Sequence, residues 1–216
     1  MKKIMTLLFF LSAINLFSQE AVITEIAGTV EIKHAGSDIW QTAQRGQRLS
    51  EDTLISTGFR STALIQAGST IITVRPLTRL GISELRSITE AETLNISLQA
   101  GRVRVDVNPP AGTRASTTIV SPVAVASVRG TSFEFDVINL IVLEGTVELV
   151  GNARGDLVLL DSGRHSFYNE QSRQLALPEA HAEIRPAFPI GTGAIPFMQQ
   201  TSPAGNTEEL MIGAMF

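Results

Sequence analysis

A glycine followed by a valine-led alternating run occurs three times: Ala27-Gly28-Thr29-Val30-Glu31-Ile32, Ala100-Gly101-Arg102-Val103-Arg104-Val105 and Glu144-Gly145-Thr146-Val147-Glu148-Leu149. In each run apolar and polar side chains alternate, which is the period of a half-buried strand and not of a helix. Glycine tolerates positive φ, so each one marks a corner after which a strand restarts. The separations are 73 and 44 residues, so this is no fixed-period array. One corner device is reused.

The same punctuation runs from residue 21 to about residue 174. "DTLISTGFRSTALIQAGSTIITVRP" breaks at Thr57-Gly58 and at Ala67-Gly68-Ser69, and "LIVLEGTVELVGNARGDLVLLDSGRHSFY" adds four turn signals. Valine, isoleucine and threonine dominate the runs. Short β-branched runs with glycine between them predict an all-β domain, a coiled or solenoid-like β-sheet module. "LGISELRSITEAETL", residues 80–94, is the one stretch that reads as a helical turn or long loop.

The ends read differently. "MKKIMTLLFFLSAINLFSQE" has two lysines, an apolar run from Ile4 to Phe17 and then small polar residues, the layout of a secretory signal peptide over residues 1–18. The run is shorter than the roughly 20 residues of a spanning helix, so no stable membrane span is expected after cleavage. The all-β domain is expected over residues 19–177. Residues 178–216 hold five prolines and no sustained period, and read as a flexible, disordered tail.

Loss of Lys2 and Lys3 leaves 15 basic against 21 acidic residues, a formal charge of −6. An acidic chain lacks the basic face that nucleic-acid binding needs. No cysteine is present, so neither a disulfide nor a lipid-modified cysteine is available, and packing alone must hold the fold.

Catalytic patterns are missing. His34, His165 and His181 lie far apart with no ligand at metal-site spacing. There is no Gly-x-Ser-x-Gly elbow, phosphate-binding loop or dinucleotide fingerprint. The carboxylate pairs Glu90/Glu92 and Glu51/Asp52 fall in loop-like stretches, where solvation is expected. Asn95-Ile96-Ser97 is a three-residue match to a glycosylation sequon. Arg102 and Arg104 read as solvated protection of a strand edge, with a partner stripe as the alternative. No cofactor and no metal are expected.

Arg129 stands out. In "SPVAVASVRGTSFEFDV" Val123 and Val125 share parity with Phe133, Phe135 and Val137, so an unbroken strand would point Arg129 into the apolar side. Gly130 can break that parity by a bulge or corner. Arg129 is then expected to staple the corner, satisfying stray carbonyls or pairing with Glu134, Asp136 or Glu144. An anionic-ligand contact is the alternative.

These residues together resemble the FecR domain family. Gly28-x-Val30 looks like its opening strand. Trp40, Ala43, Gly46 and Leu49 resemble its W-x2-A-x2-G-x2-L segment, and Ile55-x-Thr57-Gly58 with Ser61-x-Ala63 its "TG…S.A" hairpin. Gly101-x-Val103, the stretch ending Arg129-Gly130-Thr131, and Val142 through Gly145 to Val147 follow in order. Glu51-Asp52 replaces the usual Gly-Asp, and Ala67 a common Asp. The resemblance places Trp40 in the core or at a strand edge, with a carbohydrate platform as the alternative.

Family namesakes are membrane-spanning anti-sigma regulators with a cytoplasmic sigma-binding segment, and the resemblance implies that role only in part. No sigma-binding segment is legible before Glu20, and no second span. The expectation is a free-standing exported FecR-domain protein, not an enzyme. It would act as a scaffold in the periplasm or another extracytoplasmic place, binding a protein or a cell-envelope polymer. The alternatives are a periplasmic sensor component of a FecR-like transmembrane system, and a glycan-active enzyme on a β-solenoid.

Overall fold

Alternation puts one side of each run in water and the other in a core, and the computed structural model, described over residues 21–88 and 91–180, is built entirely of strands there. They form two sheets, A and B. β1 (Ala21–Ala27) lies in A, and Gly28 turns the chain into β2 (Val30–Lys33) of B. The two-residue β3 (Gln41–Thr42) and β4 (Arg48–Leu49) border B and A respectively. β5 (Leu54–Thr57) in B crosses to the A hairpin of β6 (Thr62–Ala67) and β7 (Thr70–Val74). A long B hairpin follows, β8 (Arg79–Ile88) and β9 (Ala91–Ala100).

β10 (Arg102–Val107) then crosses to A alone. The B hairpin β11 (Arg114–Val120) and β12 (Ala124–Val128) leads to the A hairpin β13 (Ser132–Asp136) and β14 (Asn139–Glu144). β15 (Thr146–Gly151) and β16 (Leu157–Asp161) return to B, and β17 (Arg164–Asn169) ends in A, flanked by β18 (Gln174–Leu175) and β19 (Glu179–Ala180). Neighbours are antiparallel except β9 and β11. Those two are parallel because β10 intervenes in the other sheet, one turn of the expected coil.

Both sheets bury their inward residues in one core. Val103, Val105, Ile72 and Val74 come from A, and Leu80, Ile82, Ile96, Leu98 and Ile119 from B. Phe133 and Phe135 are the largest side chains fully removed from water. Burying each contributes roughly 1.5–3 kcal/mol.

Four expectations are corrected. Over its described residues the stretch 80–94 is two paired antiparallel strands, β8 and β9, not a helical turn or loop. A bulge between Ile82 and Glu84 shifts parity, so Leu80, Ile82 and Leu85 point inward at a spacing that imitates a helix. In β12 the inward residues are Ala124, Ala126 and Val128, while Val123 and Val125 are only half-buried. Ala124 and Ala126 are buried in the same core as Phe133 and Phe135. β10 is central in sheet A, so Arg102 and Arg104 protect no edge. Finally, the β-structure passes residue 177, since β19 pairs Arg164 with Ala180. The proposed signal peptide and most of the proposed tail lie outside the described residues.

Candidate functional site

Wherever the chain changes sheet, backbone amides leave one ladder before joining the other and need partners. At three corners a hydroxyl residue packs against the glycine: Ser61 on Gly28, Thr78 on Gly101 and Thr131 on Gly145. Thr29 donates its amide to Ser61 Oγ at 2.8 Å. Thr78 Oγ1 accepts from the Arg102 amide at 3.0 Å and donates to the Arg102 carbonyl at 3.0 Å. Thr57 Oγ1 links the next crossing, accepting from the Thr78 amide at 3.0 Å and donating to the Arg75 carbonyl at 2.6 Å. Gly58 accepts the Leu77 amide at 3.2 Å. The corners near residues 28, 58, 76 and 101 are thus tied to one another.

This tied end carries two exposed apolar tips, Phe59 at 73% and Leu77 at 61% exposure. Leu77 has φ 57° and Arg60 φ 54°, left-handed values that a side chain resists. Strained, exposed backbone of this kind clusters at functional sites.

Beside Leu77 opens a groove of about 650 Å³, lined by Arg75, Leu77, Arg102, Asp136, Ile138 and Asn139 among others. Arg75 Nη2 lies 2.7 Å from Glu134 Oε1, and Arg102 Nη2 lies 3.1 Å from Asp136 Oδ2. The arginines are about half exposed and the carboxylates mostly covered. Asp136 Oδ1 also accepts the amides of Ile138 and Asn139, at 3.1 and 2.7 Å, which fixes the β13–β14 turn. The groove therefore offers guanidinium donors over an anionic floor, with an apolar rim.

The ladder continues to Arg104, whose Nε lies 3.1 Å from Asp106 Oδ2, and Ser132 donates to Asp106 Oδ1. Burial pushes the Asp106 carboxyl up. Hydrogen bonds from Arg104 and Ser132, with the Arg104 charge, outweigh it and hold the group below the usual carboxylate range. The hydrogen bond to Asp106 raises Arg104 in turn, against the opposing effect of burial.

Of the expected signature residues, Gly28, Gly101 and Gly145 are the sheet-changing corners, with φ of 76°, 85° and 82°. Thr57 and Gly58 form a neighbouring corner, and Gly130, φ 68°, with Thr131 forms the β12–β13 crossing. Arg129 does not staple it. Its side chain is exposed, and no hydrogen bond or ion pair reaches it among the described residues. Glu134 and Asp136, its expected partners, pair with Arg75 and Arg102 instead, because β10 and β13 set Arg102 opposite Asp136.

Trp40 is half-buried outside any strand. Lys33 Nζ lies 5.8 Å and Arg79 Cζ 5.5 Å from its ring centre. Asn95 sits inside β9 and donates to Glu84 at 2.6 Å. Glu92, expected in a loop, lies in β9 and accepts the amide and hydroxyl of Ser69. Sequence reasoning missed Arg75 and Leu77. The signal was "VRPLTRL", where a proline between two basic residues marks a crossing.

Two crystal structures of a candidate anti-sigma factor from Parabacteroides distasonis, at 1.65 and 2.50 Å, resemble the chain at 16% identity with TM-scores of 0.48 and 0.47. Each match covers 59% of this chain, which spans 59% of the solved one. No curated protein matches the sequence. Residues 53–148, from the turn before β5 into β15, match the family model described as FecR protein. This segment, which contains the groove's ion-pair ladder and the Arg129-Gly130-Thr131 crossing, is a FecR domain.

Proposed function

We propose that the chain is a non-catalytic protein-binding component of an envelope signalling system, exported through residues 1–18, and that its partner lies along the groove beside Leu77. The observation that carries this reading is Leu77. A leucine held in left-handed backbone and left in water gains nothing for the isolated fold, whereas a partner would bury it. The half-exposed guanidinium groups of Arg75 and Arg102 supply donors for carbonyl or carboxylate groups of that partner. The FecR domain supports a signalling context, as the family resemblance implies.

Capture from envelope extract with the wild-type chain and with Leu77→Asp tests it. A protein retained by the first and lost by the second supports the reading. A protein retained equally by both rejects the groove. Fractionation with N-terminal sequencing tests export, and an uncleaved precursor in the cytosol rejects it.

One observation favours a second reading. Lys33 and Arg79 flank Trp40 with no carboxylate partner among the described residues. Such a site suits an acidic envelope polymer, and retention on that polymer that Trp40→Ala abolishes supports the scaffold role.

A further inference from the structure

Among the described residues the two sheets end in four edges. Three are short: β3 and β4 have two residues each, and β17 is covered by β18 and β19, again two residues each. The fourth is β16, five residues long, paired with β15 on one side and with no strand on the other. Long open edges are normally protected by Lys, Pro, a bulge or an inward charge, because their unpaired amides and carbonyls recruit other strands. Leu157-Val158-Leu159-Leu160 has none of these, and the only charge of the strand, Asp161, stands at its last position. Val158 and Leu160 face the core, while Leu157 is 55% and Leu159 58% exposed.

The apolar surface extends inward from this edge. Leu157 stands opposite Val150, Val150 opposite Val125, and Val125 opposite Val120. These four residues form a row on the outer face of sheet B, where alternation would otherwise place polar side chains.

We infer that β16 pairs with β16 of a second copy of this chain, antiparallel about a twofold axis at Val158. That register sets Leu157 of each copy across from Leu159 of the other. Four leucines then cover one another on one face, as cross-strand pairs do within a sheet. The same register brings the turn carrying Arg154 toward Asp161 of the second copy, twice over. Arg154 is exposed with no ion partner among the described residues. A parallel pairing would set arginine beside arginine and aspartate beside aspartate, so charge complementarity selects the antiparallel arrangement. This surface is distinct from the Leu77 groove, and the inference does not depend on the reading of that groove.

The chain has no cysteine, so single-cysteine variants report cleanly. Directly opposed residues of an antiparallel pair lie roughly 4.5–5.5 Å apart, within disulfide reach. Leu157→Cys mixed with Leu159→Cys therefore cross-links under mild oxidation, and neither variant cross-links alone. Light scattering of the uncross-linked full chain gives a dimer mass that falls on dilution. Leu159→Lys, with unchanged far-UV spectrum and melting temperature, weakens dimerisation at least ~10-fold through the lost leucine contacts. A monomer at every concentration, whatever else covers β16, overturns the inference. So does a dimer that Leu159→Lys leaves intact, or cross-linking of like with like only.

Discussion

Thr78 packs so closely on Gly101 that a side-chain carbon at residue 101 would run into the Thr78 Cα and stand 2.6 Å from the Leu77 carbonyl oxygen. Both obstacles are main chain and cannot rotate aside. Gly101 also holds φ 85°, which adds left-handed strain to any replacement. Gly101→Ala is expected to cost about 3 kcal/mol or more. Gly36 has φ 72° but open space around it, so Gly36→Ala should cost only about 1 kcal/mol. Urea unfolding of the two variants measures the difference, and equal losses would mean that crowding at the corner is irrelevant.

The hydroxyls at the corners are not equivalent. Thr78→Val keeps the shape but strands the Arg102 amide, while the Arg102 carbonyl keeps the Arg75 amide at 3.0 Å, an expected loss of about 1–3 kcal/mol. Thr131 is buried and its Oγ1 has no hydrogen-bond partner among the described residues, so Thr131→Val should be neutral or stabilising. Arg129→Ala, at an exposed and unpartnered side chain, should stay within about 0.5 kcal/mol of wild type. A large loss in either of the last two, read from melting curves, contradicts this assignment of roles.

Stability should depend on acid through Asp106. Its folded-state pKa is depressed, so its contribution is present above the ordinary carboxylate value, about 3.9, and is lost as pH falls through the folded value. Asp106→Asn should therefore be less stable than wild type at neutral pH, with the gap closing below about pH 4. Denaturation midpoints across that range decide it. A gap of constant size points to packing rather than charge.

Leu77 carries a predicted trade-off. Glycine adopts φ 57° without strain, and Leu77 has little burial to lose, so Leu77→Gly should be neutral or up to about 1 kcal/mol more stable. Partner capture should fall in the same variant. Improved stability with undiminished capture would separate the strained leucine from binding.

The corners were readable because glycine's chemistry is local: Gly28, Gly101 and Gly145 announce positive φ whatever surrounds them. Strand identity was readable wherever alternation was unbroken, as in Val103, Val105 and Val107. It failed at residues 80–94, where the bulge after Ile82 converted a two-residue period into a three-residue one. It failed again at Val123 and Val125, because hydropathy favours valine over alanine, while β12 turns Ala124 and Ala126 inward and leaves the valines half-buried. The groove was illegible for a different reason. Arg75 follows β7, Arg102 lies in β10, and Glu134 and Asp136 share β13, so only the register between β10 and its neighbours decides which charges meet. Arg129, the most conspicuous charge in the sequence, was misleading because its side chain is exposed and the carboxylates expected to meet it, Glu134 and Asp136, pair with Arg75 and Arg102.

The solitary passage of β10 has a mechanical corollary. A protease nick in the turn at residues 108–113 would divide the polypeptide into two covalent pieces, β1–β10 and β11–β19. Those pieces would still be laced together twice, by β9 to β11 in one layer and by β10 to β13 in the other. A nicked molecule should therefore travel as a single particle until denaturant releases both seams, which makes this turn a natural place to divide the protein into complementing fragments.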